Sequence, residues 1–196
     1  MQNANPPLVV VIAGPNGAGK STTAPRLLQE ALAVSEFVNA DAIALGLSAF
    51  RPEGVALPAA RAMLSRIKAL ARARATFAFE TTLASRSFAP RLTELQADGY
   101  LVHLLFLSLP NPDLAVARVA ERVRAGGHDV PEAVVRRRYV AGLRAFFRVY
   151  TTVADSWQLL DNAEGGNPTL IASRSAGRAA QVLDQAAWDN LLERQG

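Results

Sequence analysis

The sequence predicts a three-layer α/β fold, in which a mostly parallel central sheet is flanked by helices. Short apolar runs alternate along the chain with longer helical stretches, which is the pattern of strands joined by crossover helices. Half of the 196 residues are hydrophobic and 19% are charged, so the chain can bury a sizeable core. The sequence shows no internal repeat and no low-complexity linker. We therefore expect a single domain over residues 1–196.

The first half of the chain contains three predicted strands, each followed by a helix. The strands are expected at residues 8–13, 37–40 and 76–80. The helices are expected at about residues 20–33, 52–74 and 88–98. The second helix has an apolar stripe that consists of Leu57, Met63, Leu64, Ile67 and Leu70.

The second half begins with the most apolar stretch, residues 100–109, which we expect to be a central strand. Asn111 is a good N-cap and Pro112 suits the first helical position, so a helix should run from there to about Arg124. Pro131 begins another helix that ends near residue 150. Short strands are predicted at 158–160 and 170–173, followed by a closing helix at 177–193.

A glycine-rich segment follows the first predicted strand. Residues 14–21 read GPNGAGKS, which matches the P-loop pattern G-x-x-x-x-G-K-[ST] between a strand and a helix. We therefore predict a P-loop NTPase fold that binds a nucleoside triphosphate, with Lys20 on the β- and γ-phosphates and Ser21 as a ligand of Mg²⁺. The predicted nucleotide-binding residues are Gly14, Pro15, Asn16, Gly17, Ala18, Gly19, Lys20, Ser21 and Thr22.

Polar side chains follow the second and third predicted strands. In an open α/β sheet the ligand lies beyond the carboxyl ends of the strands, where Asp41 and Glu80 fall. Asp41 is the candidate general base, and the alternative is that it caps the next helix. Glu80, Thr81 and Thr82 are candidate acceptor contacts, although both threonines could be ordinary strand residues. The strand at 100–109 carries no acid, so a Walker B aspartate is missing there.

Six arginines lie on either side of a Gly-Gly break at residues 126–127. Guanidinium groups suit phosphate oxygens, and two helices joined by such a break can form a lid, which we place at about residues 118–150. The alternative is a solvated basic surface. We predict catalytic roles for Arg122 and Arg124 before the break and for Arg137 and Arg138 after it. His128, within the break, is either a lid contact or a turn residue.

Several function classes are less consistent with the composition. The chain has no cysteine, which excludes disulfides and thiol catalysis. Its net charge of +4 comes mainly from arginine, but no basic stripe interleaved with aromatic residues is present, so nucleic acid is not the expected partner. No membrane-spanning run or signal peptide is visible, and we expect a cytoplasmic protein.

Asn162 is a further candidate site residue. It ends a late strand, where it can cap a turn or face the adenine of the nucleotide; we favour the adenine contact.

The set of motifs resembles the zeta-toxin-like P-loop kinases. The matching segments are GPNGAGKST at 14–22, FVNAD at 37–41, FAFETTL at 77–83, AGGHDVPEAVVRRRY at 125–139 and LLDNA at 159–163. The resemblance implies a nucleoside-kinase-like core and ATP or GTP as the phosphoryl donor. It also implies transfer to the 3′-hydroxyl of UDP-N-acetylglucosamine and a small helical antitoxin as partner. It also implies that Asp41 is the general base and that Glu80 and Thr82 belong to the acceptor-binding segment. The lid arginines correspond to those of the family by their general position in the chain and not by residue-to-residue alignment.

The expected function is therefore transfer of the γ-phosphoryl group of ATP to a hydroxyl of a small polar acceptor. Three alternatives stay open at this point. They are a nucleotide-binding regulator with little catalysis, a kinase of nucleic-acid ends, and an antibiotic phosphotransferase.

Overall fold

A computed structural model describes residues 6–49, 52–127 and 129–195. Its sheet is built from seven strands. They are β1 (Leu8–Ala13), β2 (Glu36–Val38), β3 (Phe77–Thr81), β4 (Leu101–Ser108), β5 (Ser156–Asp161), β6 (Thr169–Arg174) and β7 (Gln181–Val182).

The strand order across the sheet is β2-β3-β1-β4-β5-β6-β7. The first five strands are parallel, and β6 and β7 are added antiparallel at one edge. This order confirms the predicted α/β fold with a mostly parallel sheet. It also places β1 between β3 and β4, so the carboxyl ends of these three strands meet at one edge of the sheet.

Helices flank the sheet. They are α1 (Lys20–Pro25), α2 (Ala40–Leu47), α3 (Ala56–Arg72), α4 (Ala89–Ala97), α5 (Pro112–Arg124), α6 (Glu132–Ala145), α7 (Thr151–Val153) and α8 (Gln185–Glu193). Wider π-helical turns extend α1 over Arg26–Ala31 and join α6 to α7 over Phe146–Tyr150, and a 3₁₀ turn at Pro52–Val55 precedes α3. Asn111 caps α5 as predicted, because its side chain accepts a hydrogen bond from the Leu114 N–H.

The core is centred on β1. Every residue from Val9 to Ala13 is fully buried, as expected for a strand with neighbours on both sides and helices on both faces. The apolar stretch that was predicted as a central strand is β4, which pairs with β1 along its length. A buried strand of this kind fixes the position of the residues that follow it, and the glycine-rich loop follows β1.

Two predictions about helices were wrong. The closing helix begins only at Gln185, because the Asp184 side chain caps it and residues 181–182 instead pair with β6. Leu57 is 62% exposed, because the buried face of α3 is set by Ala59, Met63 and Ile67 and Leu57 lies on another face. None of the helices in the described ranges has the length and apolar character that crossing a bilayer requires.

Gly14 offers a test of how tightly the loop packs. Its φ is 140°, and a Cβ at this position would lie 2.1 Å from the carbonyl oxygen of Leu107. We expect Gly14→Ala to lower the free energy of unfolding by about 2–5 kcal/mol, because it combines a strained backbone with a backbone clash.

Gly46→Ala is the matched control for this substitution. Gly46 lies within α2, and a Cβ added there would meet no atom within 4 Å, so alanine should stabilise the protein by about 0.5–1 kcal/mol. Urea denaturation of both variants measures the difference. Equal effects of the two substitutions would contradict the packing described for the loop.

Candidate active site

The glycine-rich loop connects β1 to α1 and packs closely against neighbouring elements. Gly19 caps α1 with a left-handed backbone conformation (φ 76°), and a Cβ there would lie 2.6 Å from Nδ2 of Asn162. This conformation and this close approach both require glycine. The N–H groups at the start of α1 therefore lie at the edge of a cavity, in the arrangement that binds phosphate.

Lys20 is the buried cation of the site. Its side chain is 7% exposed. Nζ donates a hydrogen bond to the Pro15 carbonyl oxygen at 2.9 Å and lies 3.6 Å from Oε1 of Glu80. Burial lowers the pKa of Lys20, and the carboxylates of Glu80 and Asp41 oppose this shift. A phosphate that enters the cavity would favour the charged form of Lys20 in the same way.

Glu80 is the acid beside the loop. Its Oε2 accepts hydrogen bonds from Oγ of Ser21 and from Nδ2 of Asn39, each at 2.7 Å. In the sequence, the strand at 100–109, which is β4 in the structure, carries no acid that could serve as a Walker B aspartate. However, β1 also has β3 as a neighbour, and Glu80 of β3 lies opposite Ile12 of β1. The sheet order therefore brings an acid to the loop from the other side.

Asn39 is a residue for which the sequence patterns predicted no separate role. Its Oδ1 accepts hydrogen bonds from the N–H groups of Asp41 (2.7 Å) and Ala42 (3.1 Å), so Asn39 is the N-cap of α2. The alternative that Asp41 caps this helix is therefore wrong. Asp41 is the second residue of α2, and its exposed side chain lines the cavity. The preference for asparagine at N-caps was the available signal.

Asn39 therefore has two contacts, since its Oδ1 caps α2 and its Nδ2 donates to Glu80. Substitutions can remove one contact and keep the other. We expect Asn39→Ala to lower the free energy of unfolding by about 1 kcal/mol through loss of the cap. Asn39→Asp should keep the cap but place a second negative charge against Glu80. Urea denaturation measures the loss of the cap in the alanine variant, whereas nucleotide binding should be impaired in both variants. An aspartate variant that binds normally would contradict this role.

Arginines reach the site from both α5 and α6. Arg122 lines the cavity, and so does Arg118, one helical turn earlier on the same face of α5. Arg118 was not among the four predicted arginines; its guanidinium donates to the carbonyl oxygens of Asn162 (2.7 Å) and Ala163 (2.5 Å). From α6, Arg138 donates to Oδ1 of Asn16 in the loop at 3.3 Å.

The structure does not bring Arg124 and Arg137 to this cavity. Both side chains are exposed and neither is part of the lining. The reason is helical geometry, since residues two apart from Arg122, or one apart from Arg138, point to other faces of their helices. Arg136 is also turned away and pairs with Asp113 and Glu132 on the surface.

Thr81, Thr82 and Asn162 were also predicted to contact a ligand, but none of them lines the cavity. Oγ1 of Thr81 accepts a hydrogen bond from the Leu83 N–H, and the Thr82 carbonyl packs against Gly142; neither threonine lines the cavity. Asn162 is 3% exposed and donates to the Ala18 carbonyl oxygen at 2.8 Å, so it braces the loop from beneath and does not present an edge to a base. The predicted contact of His128 lies outside the described residues.

The cavity has a volume of about 250 Å³ and combines backbone N–H groups, two carboxylates and cationic side chains. Its lining consists of Asn16, Gly17, Gly19, Lys20, Ser21, Thr22, Asp41, Glu80, Arg118 and Arg122. Gly14, Pro15 and Ala18 belong to the loop but lie outside this lining. Across the described ranges, no three His, Cys, Asp or Glu side chains are grouped as a metal-binding cluster. A cation here would need oxygen ligands from a bound phosphate, as Mg²⁺ commonly does.

Known structures share this fold. A chain of the AvrRxo1-ORF1:AvrRxo1-ORF2 crystal structure with ATP superposes with a TM-score of 0.75 at 18% identity, over 97% of this chain and 65% of that chain. The present chain thus spans less than two thirds of that relative. A structure from the PezAT chromosomal toxin-antitoxin system of Streptococcus pneumoniae superposes with a TM-score of 0.65 at 13% identity, over 98% and 87% of the two chains.

Sequence comparisons extend these similarities. An uncharacterized protein of Haemophilus influenzae (strain ATCC 51907 / DSM 11121 / KW20 / Rd) is 29% identical over 126 residues, which are 64% of this chain and 88% of the relative. The family model described as AAA domain (AAA_33) matches residues 9–141, from the strand before the loop to within α6. That match includes the loop, Asp41, Glu80 and the arginines of α5 and α6, and the chain therefore belongs to the AAA_33 family of AAA domains.

Proposed function

We propose that this chain is an ATP-dependent phosphotransferase that moves the γ-phosphoryl group to a hydroxyl of a small polar acceptor. The observation that carries the proposal is the convergence of Lys20, Ser21, Glu80 and Asp41 on one cavity beside the glycine-rich loop. Phosphoryl transfer needs little covalent chemistry from the protein, and it depends on positioning and on charge stabilisation, which these groups can supply.

The donor set suits a nucleoside triphosphate with Mg²⁺. The loop offers N–H groups at a helix start and one buried ammonium group, and Ser21 with Glu80 offers oxygen atoms to a hard cation. We assign the metal to Ser21, as the loop motif predicted. We place Glu80 beside the metal, whereas the sequence resemblance implied that Glu80 belongs to the acceptor-binding segment. Bound Mg²⁺ would neutralise charge on the phosphate oxygens.

Asp41 is the proposed general base. Its carboxylate is exposed in the cavity and lies near enough to Lys20 to raise the pKa of that lysine. In the proposed step the acceptor hydroxyl gives its proton to Asp41 while its oxygen forms a bond to the γ-phosphorus. The bond from that phosphorus to the β–γ bridging oxygen breaks, and ADP leaves. Lys20, Arg122 and Arg138 would stabilise the charge on the transferred group.

The resemblance to zeta-toxin-like kinases makes UDP-N-acetylglucosamine the first acceptor to test, and a small helical antitoxin is the partner that it implies. The PezAT and AvrRxo1 structures support only the shared fold, because their identities with this chain are 13% and 18%. The acceptor class is therefore part of our proposal, as are a single domain and a lid that closes over residues 118–150.

Consumption of ATP by the purified protein with Mg²⁺ tests the proposal. We expect turnover that UDP-N-acetylglucosamine or another hydroxyl compound of an acceptor panel stimulates and that Lys20→Ala abolishes. The panel includes sugars, nucleosides, 5′-hydroxyl oligonucleotides and aminoglycosides, so the alternative acceptors are tested together. ATP binding without stimulation by any acceptor would reject the phosphotransferase and favour a regulatory nucleotide-binding protein.

A further inference from the structure

A second cavity lies away from the phosphate-binding loop. Its volume is about 640 Å³, which is within the range of small-molecule sites. Trp157, near the amino end of β5, is part of its lining, whereas the loop lies at the carboxyl ends of the strands. No residue of this lining is shared with the lining of the loop cavity.

Aromatic rings form one side of this cavity. The rings of Trp157 and Trp188 are stacked, with centroids 6.2 Å apart and planes at 16°, and Phe147 meets Trp188 edge to face at 5.0 Å. Trp188 is only half buried, so its ring contributes apolar area to the cavity surface. A planar ligand could stack there, which is a favourable arrangement for a heterocycle.

Three arginines form the polar side. Arg148, Arg174 and Arg178 all belong to the lining. Arg174 donates to the Ala154 carbonyl oxygen, which fixes its position. Arg148 and Arg178 are exposed, and within the described part of the chain neither one forms an ion pair. Guanidinium groups around one cavity favour a phosphate or carboxylate.

Two buried polar atoms of the lining residues have no hydrogen-bond partner among the residues that the structure describes. Trp157 is 2% exposed, and no acceptor within the described ranges receives its indole N–H. Oε1 of Gln195 is likewise buried and receives no hydrogen bond from the residues that the structure describes. Unpaired buried polar atoms are costly, and both atoms belong to residues of this lining.

We propose that this second cavity binds a small planar anion of the nucleotide class, that is, a heterocycle that carries a phosphate. The heterocycle stacks on the aromatic side, and the phosphate binds to the arginines. A nucleoside alone lacks the anion, and inorganic phosphate alone lacks the ring, so each should bind more weakly than a nucleoside monophosphate. The proposal does not depend on the phosphotransferase function.

Intrinsic fluorescence tests this site directly, because the chain contains only two tryptophans and both line this cavity. The Lys20→Ala variant removes the lysine of the loop and serves as the parent protein for the titrations. We expect AMP or UMP to change the tryptophan emission in a saturable manner, with adenosine, uridine and inorganic phosphate each needing at least about tenfold higher concentrations.

Arginine variants of this parent identify the site. Arg148→Ala and Arg178→Ala should each raise the Kd for the nucleoside monophosphate about tenfold, since each removes a charge-assisted contact at an exposed position that the fold does not need. Arg61→Ala, at an exposed position of α3, is the matched control and should leave the Kd unchanged. No saturable change at millimolar nucleotide, or equal Kd values in all three variants, would overturn the proposal.

Discussion

Replacement of Asp41 by asparagine should reduce the rate of phosphoryl transfer by about 10²- to 10⁴-fold, the usual range for loss of a general base. Nucleotide affinity should change little, because Asp41 does not contact the loop through a hydrogen bond that the structure describes. Asparagine keeps the shape of the side chain but cannot accept the acceptor proton. The effect should therefore appear in kcat and not in the Kd for ATP.

The structure makes this substitution a clean test. The Asp41 side chain is exposed, and its main-chain N–H, which Asn39 caps, is unchanged by the substitution. The fold should therefore be retained. Asp98→Asn, at an exposed aspartate after α4, is the matched control and should transfer at the wild-type rate. Wild-type turnover in Asp41→Asn would remove Asp41 from the proposed role.

Replacement of Glu80 by glutamine should reduce transfer by about 10²- to 10³-fold, the range for loss of one preorganised electrostatic group. Glutamine can still accept hydrogen bonds from Ser21 and Asn39, so the substitution mainly removes charge. Burial lowers the pKa of Lys20, and the carboxylate of Glu80 is the main group that opposes this shift. The pKa of Lys20 should therefore fall further in the Glu80→Gln variant. The carboxylate that the cation would share with Ser21 is also lost.

The dependence of turnover on Mg²⁺ distinguishes this role from a structural one. We expect Glu80→Gln to require a higher Mg²⁺ concentration for half-maximal activity. Glu36→Gln is the control, because Glu36 is an exposed glutamate at the start of β2 that pairs with Arg66 on the surface. An unchanged rate and an unchanged Mg²⁺ requirement in Glu80→Gln would contradict the assignment.

The fold was predictable because its signals are local. Leu8–Ala13 is a continuous apolar run, and the loop pattern between this strand and the next helix fixes the fold class. Local signals also located Asn111 as a helix cap. The closing helix was predicted too long because the pairing of Gln181–Val182 with β6 is a long-range contact, which the local sequence pattern does not reveal.

The site was predicted less completely because it depends on which strands are neighbours. Glu80 could be recognised as a residue at a strand end, but its contact with Ser21 follows from the position of β3 beside β1. Asn162 had two interpretations, a turn cap or an adenine contact, and its long-range hydrogen bond to Ala18 beneath the loop gives it a third role that the local sequence does not reveal. Among the arginines, sequence clustering identified the region, whereas the helix faces select Arg118 and Arg122 over Arg124.

The most direct test of the central claim follows the phosphoryl group itself. Wild-type protein is incubated with Mg²⁺ and ATP labelled at the γ-phosphate, with the acceptor that stimulates turnover, and the products are identified by mass spectrometry. The account predicts label on a hydroxyl of the acceptor with the wild type, strongly reduced label with Asp41→Asn, and none with Lys20→Ala. Label found only in free phosphate, or equal label in all three proteins, would contradict it.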